Sequence, residues 1–145
     1  MFKKILLATD GSKLCNESVR AAIELASQCG SRLVGLSVAA RLRAASISEA
    51  SCGLDPQQPG QAGRSHALAS VNLIAELARA QGVPCAVQVA EGVQPYEEIM
   101  RVAEREQCDA IFMASHARSA LQRGLRSSQT QQVLARSALP VLVFR

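Results

Sequence analysis

Lys3-Lys4-Ile5-Leu6-Leu7-Ala8-Thr9-Asp10-Gly11-Ser12 opens the chain, and its reading decides the fold. Ile5 to Ala8 is an unbroken apolar run, and Asp10-Gly11-Ser12 is a turn signal. Short apolar runs closed by turns fit strands buried on both faces of a parallel sheet. The two lysines ahead of the run imitate an export signal. The apolar stretch ends at Thr9, short of the roughly 7–15 residues such a signal needs. The expectation is therefore a first strand in a cytoplasmic protein.

Outward from that strand, apolar runs alternate with amphipathic stretches. Val19, Ala22, Ile23 and Ala26 recur at helical spacing within Asn16–Cys29, and Gly30 stops the helix. Arg32 to Val38 reads as a second strand. From Ala39 to Gly63 the pattern dissolves, with Asp55-Pro56, Pro59-Gly60 and Gly63 marking turns. A connection of that length is mobile or functional. Ala67, Val71, Ile74, Ala75 and Ala78 form the next helix, and Cys85 to Val89 a third strand. Pro95 opens a helix with Glu97 and Glu98 in its dipole-favoured first turn. Ala110 to Met113 is a fourth strand. Ser128 to Ser137 is helical with Val133 and Leu134 on one face, and Val141 to Phe144 is the last strand. This order predicts one domain over residues 1–145: a three-layer α/β/α open twisted sheet of parallel strands.

Composition narrows the function. Hydrophobic residues are 48% of the 145, enough for a full core, and aromatics only 3%, so that core is aliphatic. So few aromatics argue against a stacking platform for single-stranded nucleic acid, and the net charge of +4 is scattered apart from Arg118, Arg123 and Arg126. The five cysteines have no C-x-x-C spacing and read as free thiols in a reducing compartment, with no zinc set. No segment approaches the roughly 20 apolar residues of a membrane span.

Open parallel sheets bind ligands beyond the carboxyl ends of their strands. The segments there are Thr9–Ser12, Val38-Ala39 and Ala114 to Ser128. The last ends in Ser127-Ser128, two natural helix caps whose neighbouring N–H groups form an anion site, with the arginines close in sequence. A plain capped helix with a solvated basic loop explains the same residues equally well. Asp10 is either a ligand contact or a turn residue. Met113-Ala114-Ser115-His116-Ala117 has a serine just past a strand but lacks the outer glycines of a nucleophile elbow, and no acidic partner is placed for it.

The stretches Ile5–Ser12, Asp109–Ser119 and Pro140–Phe144, at their mutual separation, resemble the universal stress protein family. The resemblance covers nearly the whole chain and is weakest from Ala39 to Gly63. It implies a Rossmann-like five-stranded parallel sheet in the order 3-2-1-4-5, usually dimeric. The chain then acts in stress response and regulation rather than as an enzyme. Nucleotide-binding members carry G-x2-G-x9-G-[ST]. Here the glycine positions fall on Ala114, Ala117 and Ser127, and the final position on Ser128. The resemblance further assigns Asp10 and Val38 to the adenosine end, and Arg118 and Arg123 to positions often basic; Thr9, beside Asp10, is counted with the binding residues. With every motif glycine replaced, the expectation is a homodimer, paired through Val141, Leu142, Val143 and Phe144, that takes ATP or AMP weakly or not at all. The alternative is an ATP-binding switch with slow hydrolysis.

Overall fold

The computed structural model describes residues 1–41, 60–114 and 129–145. Five parallel strands form one sheet: β1 (Lys4–Ala8), β2 (Arg32–Ala40), β3 (Cys85–Gly92), β4 (Ala110–Ala114) and β5 (Val141–Phe144), in spatial order β3-β2-β1-β4-β5. The helices among the described residues are α1 (Lys13–Cys29), α2 (Gln61–Ala80), α3 (Pro95–Arg105) and α4 (Gln129–Arg136).

Alternation along β1 builds the three layers. Leu6 and Ala8 face one core with Tyr96, Ile99 and Val102 of α3 and Val133 of α4. Ile5 and Leu7 face the other, with Val19, Ala22, Ile23 and Ala26 of α1 and Ile74 of α2. Successive side chains of a strand point to opposite faces, so a strand covered on both sides must be apolar throughout. That is why Ile5, Leu6 and Leu7 are all fully buried.

Several elements run beyond their sequence-read ends, whereas α4 stops at Arg136, one residue short of the Ser137 read for it. α1 begins at Lys13, not Asn16, because Ser12 is its cap and accepts the Cys15 N–H at 3.3 Å. It ends where read, with Gly30 left-handed at φ 66°. β2 continues to Ala40 and β3 to Gly92, because their ladder holds Ala39 opposite Glu91 and Ala40 opposite Gly92 whatever their propensity. Gly63 lies inside the first turn of α2 rather than in a loop. Its N–H donates to the Gly60 carbonyl at 2.8 Å and closes that first turn. Val133 is fully buried whereas Leu134 is 52% exposed. Adjacent helical residues point about 100° apart, so the shared face expected of that pair does not exist.

Asp109 ties the start of β4 to that of β1. Its carboxylate accepts the Lys3 N–H at 2.7 Å and the Lys4 N–H at 3.1 Å. Desolvation pulls its pKa upward, but the N–H donors of Lys3 and Lys4 outweigh that and hold it below the usual aspartate value. The unfolded chain, with an aspartate near its ordinary value of about 3.9, binds that proton first as pH falls. The bonds therefore stabilise the fold at neutral pH and fade as acid drives the pH below about 4 and through the lowered value. Asp109→Asn is expected to lower the urea midpoint at pH 7 and to flatten its fall as the pH drops below about 4. Equal slopes in the two proteins would sink this account.

Candidate functional site

The sequence-read site residues fall into two groups. Thr9, Asp10, Val38 and Ala114 are described, and the sheet brings them together. Ala117, Arg118, Ser127 and Ser128 lie outside the described residues, as do Ser115, Arg123 and Arg126.

The meeting point is a cavity of about 210 Å³. It opens at the carboxyl ends of β1, β2 and β4. β1 is central, with β2 on one side and β4 on the other, so this is where the strand order reverses and helices leave for opposite faces. Leu36 and Val38 form one wall, Met113 and Ala114 the other, and Ala8 and Thr9 lie between them. The strands thus contribute an apolar recess. It is small against the roughly 300–1,000 Å³ of pockets for drug-sized ligands.

Polar groups gather at the end of β1. The Thr9 N–H donates to the Leu36 carbonyl at 2.9 Å, extending the β1–β2 ladder by one residue. Thr9 Oγ1 accepts the Gly11 N–H at 3.1 Å, and Asp10 Oδ1 accepts the Ser12 N–H at 2.9 Å. His66 of α2 lies 2.8 Å by Nε2 from the Asp10 carbonyl. A carbonyl only accepts, so Nε2 carries the proton. Asp10 is a turn residue, as one reading had it, and also part of the cavity wall.

Helices supply the residues that the sequence reading passed over: Cys15 from α1, Pro95 and Ile99 from α3, and Gln129 and Thr130 from α4. Some had signals. Cys15 stands four residues before Val19 on the buried face of α1, and Leu36 two before Val38 on one face of β2. Burial pushes the Cys15 thiol above its ordinary pKa, which disfavours the thiolate. Thr130, buried, donates from Oγ1 to the Ala114 carbonyl at 3.1 Å and pins the end of β4. Gln129 Oε1 accepts the Tyr96 N–H at 2.8 Å, across 33 residues of sequence. Nothing in the sequence marks that contact.

Ala114, at the first glycine position of the motif, pairs with Phe144 in the sheet. Among the described residues the non-glycine residue at positive φ is Gln107. Ala114 is therefore in ordinary extended backbone, and its methyl matters by its volume rather than by strain.

Comparison with known proteins agrees with this geometry. The family model described as "Universal stress protein family" matches residues 1–145. The universal stress protein MJ0531 of Methanocaldococcus jannaschii is 27% identical over 146 residues, covering 100% of this chain and 83% of its own. The solved structure of MJ0577, a universal stress protein of the same organism, superposes with a TM-score of 0.77 at 27% identity, over 99% of this chain and 96% of that one. A universal stress protein solved in complex with cAMP shares the fold, with a TM-score of 0.73 at 19% identity over 98% of this chain and 95% of that one.

Proposed function

The chain belongs to the universal stress protein family, and we propose that it is a cytoplasmic regulatory member that binds an adenine nucleotide weakly and performs no reaction on it. One observation carries this reading. The cavity at the strand ends is an apolar recess with Asp10 at its rim and Ala114 where nucleotide-binding members have their first glycine. An aliphatic slot suits a base. The added methyl costs space, but not the roughly 1–2 kcal/mol that a side chain forced into left-handed backbone would cost. Binding is weakened at this position, not abolished.

A nucleoside monophosphate is the better candidate than a triphosphate. It asks the altered motif to hold one phosphoryl group instead of three. The relative solved with cAMP supports the same class.

Titration calorimetry with AMP and ATP tests the reading. Glycine at positions 114, 117 and 127 together is expected to tighten ATP on the order of ten-fold, with a smaller gain for AMP. A triple variant with unchanged ATP affinity would contradict the role given to these positions.

The partner in this reading is a second copy of the chain, joined through Val141, Leu142, Val143 and Phe144 of β5. These residues form a sheet edge, and all four are only half-buried.

A further inference from the structure

The polar side chains on the cavity wall are mostly occupied in holding backbone. Thr9 and Asp10 each give an oxygen to the turn after β1, and the Thr130 hydroxyl proton goes to the Ala114 carbonyl. Gln129 differs. A carboxamide has an acceptor at one corner and two donors at the other. The Tyr96 N–H at 2.8 Å demands the acceptor, which fixes the orientation of the group. No described residue accepts from its NH2 end, and Gln129 is exposed at the wall of the cavity.

The mount is firm. Tyr96 is 7% exposed, and its hydroxyl donates to Glu97 Oε1 at 3.1 Å. The Arg136 guanidinium lies over its ring, 5.1 Å from the centroid. Helices α3 and α4 are thus joined at their first turns by Gln129, and near the end of α4 by Arg136.

Building on the nucleotide reading above, we infer that Gln129 is a specificity-determining residue, whose oriented carboxamide NH2 donates to an oxygen of the ligand's sugar–phosphate portion. A ribose hydroxyl and a phosphoryl oxygen share the acceptor chemistry it needs. A neutral donor recognises either, and disfavours a ligand that presents a donor of its own at that point.

Calorimetry on the full chain with AMP and adenosine, using Gln129→Met and Gln129→Glu, decides the matter. Methionine is uncharged, of similar length, and supplies neither cap nor donor. Glutamate keeps an oxygen for the Tyr96 N–H but puts an acceptor where the donor was. Both variants are expected to weaken AMP about ten-fold, since a ligand oxygen loses its partner. Parallel weakening of adenosine identifies the ribose hydroxyl as acceptor, and an unaffected adenosine identifies the phosphoryl oxygen. Loss in the methionine variant alone reduces Gln129 to a helix cap and overturns the inference. Loss in the glutamate variant alone is charge repulsion and overturns it equally, as does no loss in either. A wild-type protein that binds neither probe removes the nucleotide reading itself, and the inference with it.

Discussion

Gly11→Val is expected to destabilise the protein by about 3 kcal/mol or more, lowering its melting temperature on the order of 10 °C. Two independent costs meet at this position. Gly11 has φ +76°, where a β-branched side chain is strained. A Cβ built there collides with two side chains of α2, meeting Ser70 Oγ and, at 2.8 Å, His66 Nε2. Neither can retreat freely. Ser70 Oγ donates to the His66 carbonyl at 2.8 Å, and the His66 ring is bonded to the Asp10 carbonyl.

Gly30 separates the two costs. It has nearly the same φ, +66°, but a Cβ there meets nothing within 4 Å. Gly30→Ala therefore measures backbone strain alone, about 1 kcal/mol. Gly11→Ala measures strain plus contact, and Ser70→Ala in the same chain should return part of the difference. Equal melting temperatures for Gly11→Ala and Gly30→Ala would show that α2 does not press on the turn. Because that turn also carries Thr9 and Asp10 into the cavity wall, Gly11→Val should lose the proposed AMP binding along with stability.

The parts of the fold set by burial were readable from the sequence, and the parts set by neighbours were not. Ile5 to Ala8 could be read as a strand because both of its faces needed apolar residues, and Val19, Ala22, Ile23 and Ala26 as a helix face because their spacing allows no other surface. The extensions of β2 and β3 were hidden. Ala39, Ala40, Glu91 and Gly92 are poor strand formers that pair because the ladder before them is already aligned. Val133 and Leu134 misled because neither is special alone, and only the place of α4 on the sheet says which one turns inward.

The site divides in the same way. Its location follows from topology, since any such sheet opens where its strand order reverses. Asp10 could not be assigned, because one carboxylate can accept the Ser12 N–H and line a cavity at once. Gln129 was invisible. Its importance lies in a hydrogen bond to Tyr96, which depends on how two helices distant in sequence lie against one face.

The largest expected change in solution behaviour comes from Val143→Lys, which should turn the proposed dimer into a monomer. The two sheet edges differ in the way this requires. β3 is guarded: Gln88 bonds the Arg105 guanidinium, and Glu91 pairs with Arg41 at 3.1 Å and with Arg64 at 3.0 Å. Charged side chains along an edge discourage pairing with another chain. β5 reads Val-Leu-Val-Phe, without a charge, and all four residues are only half-buried. Their inner surface is already used, by Val141 on one core and by Leu142 and Phe144 on the other. What remains is an apolar edge to which no other described strand is added, and a two-fold axis through it lets the same edge of a second copy complete the ladder. A lysine at 143 is partly solvated in a lone chain, so it should barely alter folding there. In the proposed dimer it is drawn into the apolar seam between the two edges, where an uncompensated buried charge costs about 3–5 kcal/mol. Dissociation should then strengthen by about 100-fold or more. Light scattering across a dilution series reads this directly: twice the chain mass for the wild type and one chain mass for the variant, at equal melting temperature extrapolated to low concentration. A wild type that stays at one chain mass, or a variant that keeps twice that, would leave the β5 edge without the partner proposed for it.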